Sequence, residues 1–152
     1  MRFIIQQSGS GAHVEKILRA LPEWFGIEKS TLQYIKDAGT MPSVLAKDGD
    51  DVVGFITIRK HFPETAEMHC LGVLPKYHRT GVGRQLVAAL ETHLKKEGIK
   101  FLQVKTISAD SSDEAYAKTR KFYIGVGFTP LEVFPTLWDE TNPCLLLVKS
   151  LV

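Results

Sequence analysis

Short apolar runs alternate with amphipathic stretches along this chain, a pattern that predicts strands and helices within one fold. The most regular helix is expected over residues 81–97, where apolar side chains recur every four positions at Val82, Leu86, Leu90 and Leu94. Weaker helical patterns cover residues 10–21, 30–39 and 111–124. We therefore expect four helices.

Polar residues that favour helix starts precede the three weaker helices. Ser10 is the expected cap of the first, and Ser30 or Thr31 of the second. Ser111 and Glu114 have the spacing of a capping box, so Ser111 is expected to begin the last helix.

Strand-like runs fill the remaining segments, at residues 1–7, 43–47, 52–60, 65–74, 101–106, 126–134 and 144–152. The turn-rich Asp-Gly-Asp-Asp at residues 48–51 predicts a hairpin between the second and third runs. The order β-α-α-β-β-β-α-β-α-β-β predicts an α+β fold with a mixed, mostly antiparallel central sheet flanked by helices. Residues 1–152 are expected to form a single domain, because no repeat or long linker divides them.

Composition narrows the class of protein. Of 152 residues, 44% are hydrophobic and 24% charged, and 19 Lys and Arg against 17 Asp and Glu give a net charge of +2. So small an excess argues against a polybasic nucleic-acid binder. The apolar runs fall far short of the ~18 residues of a membrane span, and the amino-terminal run is too brief for a signal peptide. We therefore expect a cytoplasmic protein without nucleic-acid or membrane partners.

The two cysteines give no sign of a disulfide or a metal site. Cys70 and Cys144 lie far apart, each in an apolar run, and neither belongs to a CxxC or Cys/His pattern. We expect both to be reduced core residues, and we expect no bound metal.

The segment from Pro75 to Arg84 carries the clearest functional signal. It leads from a strand into the strongest helix and contains two glycines, Gly81 and Gly83. Glycines let a backbone approach a bulky anion, and the N–H groups of a helix start can hold a phosphate. A tight turn that needs a positive φ is the alternative explanation. Leu86 replaces the third glycine of a dinucleotide fingerprint, and no Gly-Lys-Ser/Thr occurs, which excludes two common phosphate loops.

Two motifs in this order resemble the GNAT superfamily of acetyl-CoA-dependent N-acetyltransferases. The first is Val73-Leu74-Pro75 followed by His78-Arg79-Thr80-Gly81-Val82-Gly83, with His78 where the family prefers Gln or Arg. The second is Phe122-Tyr123-Ile124-Gly125-Val126-Gly127-Phe128. The resemblance covers roughly residues 44–134 and is stronger than either motif alone.

The resemblance implies an enzyme that transfers acetyl from acetyl-CoA to a primary amine by direct attack in a ternary complex. It implies that the backbone of Leu71, Gly72 and Val73 pairs with the pantetheine arm. It further implies that the loop and helix start hold the pyrophosphate, through His78, Arg79, Thr80, Gly81, Val82, Gly83 and Arg84. Tyr116 occupies a position where the family often has an Asn that contacts pantetheine.

Two catalytic side chains also follow from the resemblance. Glu67 lies fourteen positions before Gly81, like the general-base glutamate of the histone-acetylating members, and it shares a strand face with His69 by alternation. A solvated strand-end carboxylate is the alternative for Glu67, and His69 or a water chain could take its role. Tyr123 resembles the family's general acid beside the CoA sulfur, the alternative being a core aromatic beside a buried Phe122.

The acceptor is expected at two short loops near residues 22–27 and 135–143. Trp24, Phe25 and Trp138, with nearby carboxylates, would suit a small cationic amine. An ordinary surface loop with partly buried tryptophans is the alternative explanation. We expect a small-molecule or peptide amine as acceptor, and a monomer or homodimer. The alternative function is a non-catalytic acyl-CoA-binding sensor or interaction module.

Overall fold

A computed structural model describes residues 1–111 and 113–152 and has the predicted order of elements. The strands are β1 (Arg2–Gln6), β2 (Ser43–Asp48), β3 (Asp51–Phe62), β4 (Thr65–Val73), β5 (Phe101–Ile107), β6 (Thr129–Asp139) and β7 (Asn142–Ser150). The helices are α1 (Gly11–Arg19), α2 (Glu28–Thr40), α3 (Val82–Lys96) and α4 (Glu114–Gly125). The strands follow the order β1-β2-β3-β4-β5-β7-β6 in a seven-stranded sheet, which confirms the α+β class.

The chain divides into two compact units, the first of which is Met1–Arg59 with Met68–Glu97. In it, β1 pairs antiparallel with β2, and β2 with β3. Asp48 pairs with Asp51, so the predicted hairpin is confirmed. The apolar stripe of α1 is buried in a hydrophobic cluster. The cluster contains Val14, Ile17 and Leu18 of α1, Leu21 just after it, and the strand residues Leu45, Phe55 and Cys70.

The second unit is Lys60–Glu67 with Gly98–Val152. Here β7 pairs antiparallel with both β5 and β6. β6 is the last strand in the order and is almost wholly exposed, and it contains Pro130 and Pro135. An edge strand tolerates proline because its outer N–H groups have no partner strand. The predicted run of residues 126–134 therefore begins later and extends further, which places Trp138 on a strand instead of a loop.

Two helix starts differ from the prediction. α2 begins at Glu28, not at a Ser30 or Thr31 cap, and no side chain caps it. The carboxylate of Glu28 favours this earlier start, since it lies in the positive first turn and pairs with Arg19.

The predicted capping box of Ser111 and Glu114 at the start of α4 is wrong as well. Asp113 caps α4, because its carboxylate accepts hydrogen bonds from two amides of the first turn, Ala115 and Tyr116.

Both cysteines are free and buried, as expected. Burial raises the pKa of the Cys70 thiol, which makes Cys70 a poor nucleophile at neutral pH. In the described part of the chain, no helix combines the length and the apolar character needed to cross a membrane.

Close packing explains the glycine at position 72. A Cβ there would lie 2.9 Å from Phe55 Cε1 and 3.0 Å from Ile17 Cγ2, both in the buried cluster. We expect Gly72→Ala to lower the free energy of unfolding by about 1–3 kcal/mol, because the core must shift to admit the methyl group. Urea denaturation measures this. Gly39→Ala is the matched control, since a Cβ at Gly39 meets nothing within 4 Å and alanine favours the helix. A Gly72→Ala protein as stable as the wild type would contradict the packing argument.

Candidate active site

The loop before α3 contains two residues in the left-handed region. A short 3-10 turn, Pro75–Tyr77, is followed by Arg79 at φ 60° and by Gly81, the N-cap of α3, at φ 88°. A Cβ at Gly81 would meet nothing within 4 Å, so the backbone conformation and not crowding favours glycine there. The turn therefore needs a positive φ, as the alternative explanation for the two glycines predicts.

The same geometry also suits an anion. The first hydrogen bond within α3 runs from Gln85 N–H to Gly81 O at 3.0 Å, so the amides of Val82 and Gly83 precede it and have no acceptor within the helix. Left-handed residues next to such amides form a concave anion-binding backbone, and the helix dipole favours negative charge. Lys76 and Arg79 add exposed positive charge in the same loop. The loop therefore fits a phosphate-bearing ligand.

His78 ties this loop to the end of β4. Leu74 N–H donates to Val53 O at 2.8 Å, so the Val73 carbonyl of the same peptide points away from β3. His78 Nε2 donates to that carbonyl at 2.7 Å, and Trp24 meets the His78 ring edge-on at 5.9 Å. The structure thus brings together Val73, His78 and Trp24, three of the predicted site residues. Thr80 Oγ1 donates to Tyr77 O and holds the turn that follows.

Glu67 lies in a polar cluster that we call the Glu67 cluster, formed with His61 of β3 and with Gln103 and Lys105 of β5. Its Oε1 atom is 2.7 Å from His61 Nε2 and 3.0 Å from Gln103 Nε2. Lys105 Nζ lies 3.2 Å from both carboxylate oxygens. Glu67 is only 5% exposed, so the alternative of a solvated strand-end carboxylate is wrong.

The electrostatics of this cluster favour an ionised carboxylate. Burial alone would raise the pKa of Glu67, but hydrogen bonds from His61 and Gln103, together with the charge of Lys105, outweigh it. The pKa therefore lies below its ordinary value. Glu67 holds its negative charge at neutral pH and is a weak proton acceptor.

His69 has a separate set of partners. Its Nε2 atom lies 2.8 Å from Asp37 Oδ2 of α2, and its ring meets Tyr34 at 5.4 Å between centroids. Tyr34 in turn meets Phe25 at 6.0 Å. Phe25 is half-buried against the core of its unit. A chain of ring contacts thus joins Phe25 to the second candidate base.

Tyr123 is buried on α4, and its ring packs edge-on against both Phe122 and Phe128 at 5.7 and 5.9 Å. Phe122 is only half-buried, so the expectation that Phe122 is the core member of the pair is wrong. Tyr123 is 5% exposed near the end of α4, whereas the adjacent Ile124 is 50% exposed. Tyr116, at the family's Asn position, is half-buried on the same helix.

Trp138 is 44% exposed on β6, as an acceptor-contacting residue would need to be. Two of the carboxylates expected at the acceptor loops have structural partners, however. Asp139, next to Trp138 in sequence, accepts hydrogen bonds from Thr141 and Asn142 in the β6–β7 turn. Glu28, which follows the loop of Trp24 and Phe25, pairs with Arg19. These two carboxylates stabilise local structure in addition to any role toward an amine.

A family model matches the part of the sequence that contains this loop. A strand that leads through a glycine loop into the start of a helix is an arrangement that suits a phosphate. The sequence matches the model of the Acetyltransferase (GNAT) family over residues 13–128, which include the loop and Tyr123. The chain belongs to the GNAT acetyltransferase family.

One relative is similar to part of this sequence, and two solved structures are similar to its fold. A mycothiol acetyltransferase of Corynebacterium glutamicum (strain R) is 29% identical over 85 residues, which are 56% of this chain and 27% of that protein. The match thus spans about a quarter of that relative's length. A putative GNAT acetyltransferase of Desulfovibrio desulfuricans has a similar structure, with a TM-score of 0.82, 17% identity and coverage of 99% and 100% of the two chains. The structure of a GNAT family acetyltransferase from Elizabethkingia anophelis with acetyl-CoA bound is also similar. Its TM-score is 0.71, its sequence identity 19%, and the match covers 97% of each chain.

Proposed function

We propose that this protein is an acetyl-CoA-dependent N-acetyltransferase in which residues 1–152 act as one catalytic domain. The observation that carries the proposal is the start of α3, where the amides of Val82 and Gly83 follow two left-handed residues. Such a start favours the pyrophosphate of a CoA thioester. Membership of the family adds the reaction, acetyl transfer.

The donor would bind along the end of β4 and over the glycine loop. In our proposal the backbone of Leu71, Gly72 and Val73 pairs with pantetheine, and the pyrophosphate lies on the segment from His78 to Arg84. The Val73 carbonyl supports this assignment, because it points away from β3. It accepts a hydrogen bond from His78, and a carbonyl oxygen has a second lone pair for a ligand. Acetyl-CoA supplies an activated acyl carbon, and the chain supplies amides, orientation and proton transfer.

Two proton transfers accompany the reaction. An alkylammonium has an ordinary pKa near ~10.4, so a group that removes its proton assists attack on the thioester. We assign this side of the reaction to Glu67 and its partners. We propose that Tyr123, which belongs to a motif of the family, delivers a proton to the departing sulfur. The amine attacks directly, so neither buried cysteine is needed as a nucleophile.

The acceptor we propose is a small-molecule or peptide amine that carries positive charge. Trp24, Phe25 and Trp138 would offer aromatic surface to such a cation. The mycothiol acetyltransferase relative is compatible with a small-molecule acceptor, although the match covers a minor part of it. We further propose a cytoplasmic monomer or homodimer, consistent with two reduced cysteines.

Thiol release from acetyl-CoA tests this function against a panel of polyamines, aminoglycosides, amino acids and peptide amines. We expect at least one amine to raise thiol release well above the rate without acceptor. Calorimetric titration of acetyl-CoA runs in parallel, because tight binding without turnover on any acceptor would favour the acyl-CoA sensor. Absence of both binding and turnover would reject both functions.

A further inference from the structure

We propose that His61 takes the proton from the acceptor ammonium and that Glu67 acts as its positioning residue. This inference rests on the proposed acetyltransferase function and refines its proton-accepting side. It begins from the Glu67 cluster, which contains four polar side chains from three strands. Of the four, His61 combines a basic ring nitrogen with a side chain that is 33% exposed to solvent.

Glu67 itself is a poor proton acceptor. Its side chain is 7% exposed, and its two oxygens accept hydrogen bonds from three neighbouring groups. The pKa of Glu67 lies below its ordinary value, so it stays ionised when an ammonium must be deprotonated. Lys105 is a cation and Gln103 an amide, and neither can take a proton at neutral pH. His61 is left as the acceptor within the cluster.

The contact between His61 and Glu67 fixes the imidazole tautomer. An ionised carboxylate only accepts hydrogen bonds, so at 2.7 Å His61 Nε2 must carry a hydrogen and donate it to Glu67 Oε1. Two bare acceptors at that distance would repel each other. Gln103 Nε2 lies 3.3 Å from the same ring nitrogen, but it donates to Glu67 Oε1 at 3.0 Å and does not need the ring as an acceptor.

This tautomer leaves Nδ1 as the basic atom of His61. In the part of the chain that the structure describes, the side-chain hydrogen bonds of His61 involve Nε2, which lies near Glu67 and Gln103. The His61 side chain is 33% exposed, against 7% for Glu67. Nδ1 therefore carries the lone pair that can accept a proton from a ligand. The buried carboxylate affects this proton transfer through its hydrogen bond with Nε2. Histidine is also the side chain that ordinarily changes charge between pH 5 and 8.

The charged groups around His61 define how it should respond to mutation. Glu67 on β4 is the adjacent anion and stabilises the imidazolium. Lys105 on β5 contacts both oxygens of Glu67 and opposes a second positive charge. Cys144 on β7 is buried near Glu67 and Lys105, and burial raises the pKa of its thiol, so it stays neutral. Among the described contacts of the cluster, Glu67 supplies an anion and Lys105 a cation, and a mutation can remove either one separately.

The proton balance of the proposed step is complete. The acceptor ammonium gives one proton to His61 Nδ1, which releases it to solvent after turnover. The neutral amine then forms the N–C bond, and the thioester C–S bond breaks when the tetrahedral intermediate collapses. Sulfur receives its proton from Tyr123, and the second proton of the reacting nitrogen restores the phenol. Amide, free thiol and one solvent proton are the products.

The test follows the pH dependence of kcat/KM for thiol release with the best amine of the panel. In the wild type we expect kcat/KM to fall as the pH is lowered between about pH 8 and 5, a part of the profile that we call the acid limb. We expect His61→Gln to lower the rate by about 10²–10⁴-fold and to abolish the acid limb. Calorimetric binding of acetyl-CoA, unchanged in the variant, would show that the variant is folded. His93→Gln is the matched control, because His93 also contacts a glutamate, Glu97, but on α3. It should keep the wild-type rate and profile.

Two further variants separate a positioning role from a merely structural one. Glu67→Gln keeps an acceptor for Nε2 but removes the anion, so the acid limb should move to lower pH by about one unit or more. Lys105→Met removes the opposing cation, so the limb should move to higher pH. Loss of packing alone would not move the limb in opposite directions.

Three results would overturn the inference. One is a His61→Gln enzyme with the wild-type rate and acid limb. Another is loss of the limb in His69→Gln while His61→Gln retains it, which would assign the proton to the His69–Asp37 pair instead. The third is a wild-type protein that binds no acetyl-CoA and acetylates nothing, which would reject the proposed function as well. The first two leave that function standing, so the failures are distinguishable.

Discussion

Replacing Gly83 with aspartate is expected to abolish acetyl-CoA binding, a loss of at least about 100-fold in affinity, while the protein remains folded. Gly83 is the second residue of α3, where its amide has no acceptor within the helix. A carboxylate there would occupy that amide and repel the pyrophosphate; two like charges about 4 Å apart near a protein surface repel by ~4 kcal/mol. The fold should tolerate the change, because acidic residues stabilise the first turn of a helix.

Calorimetric titration with acetyl-CoA and thermal unfolding measure the two halves of this expectation. Gly83→Ala is the control, because it adds a methyl group without charge and favours the helix. It should retain more affinity than Gly83→Asp. Undiminished binding by a folded Gly83→Asp protein would show that the donor phosphates lie elsewhere.

Replacing Tyr123 with phenylalanine is expected to lower kcat by about 10²–10⁴-fold with little change in acetyl-CoA affinity. The variant removes one hydroxyl from a ring that is packed against Phe122 and Phe128, so the core keeps its shape. If the hydroxyl delivers a proton to the departing sulfur, turnover should fall far more than binding. Steady-state kinetics and calorimetry separate these two quantities.

The outcome is informative in either direction. Equal kcat values for wild type and Tyr123→Phe would remove Tyr123 as the acid and leave it a buried aromatic of α4. A fall in affinity as large as the fall in kcat would assign the hydroxyl to donor binding instead. Thermal unfolding of the variant controls for a loss of stability.

Local patterns predicted the regular elements of this fold well. α3 was readable because a strong apolar stripe and two flanking glycines, Gly81 and Gly98, define its ends. The start of α2 was not, because no capping side chain marks it and its support comes from the pairing of Glu28 with Arg19, nine residues earlier. The length of β6 was missed because the residues from Pro135 onward were assigned to a loop, whereas an edge strand accommodates proline.

The candidate site was predictable where it depends on neighbours in sequence. The glycine loop, the strand that precedes it and the Tyr123 motif are continuous segments, and the family match covers them. The partners of Glu67 were not predictable, because His61, Gln103 and Lys105 meet it only through the register of neighbouring strands. Alternation could place Gln103 and Lys105 on one face of their strand, but not opposite Glu67.

The depth of a side chain was the other feature that the sequence concealed. Trp24 and Phe25 lie in a loop rich in proline and glycine, yet both pack against the core cluster of their unit. Tyr123 is buried and its neighbour Phe122 is the more accessible ring, the reverse of what side-chain polarity alone indicates. Such burial depends on tertiary packing and not on local pattern.

The most direct test of the central claim is a mass balance in the thiol-release reaction, with acetyl-CoA carrying a heavy-isotope-labelled acetyl group. If this chain is an N-acetyltransferase, each mole of free CoA thiol appears with one mole of labelled amide on the acceptor nitrogen. Labelled free acetate in place of the amide would mean hydrolysis without transfer. Unreacted acetyl-CoA with every amine of the panel would contradict the account altogether.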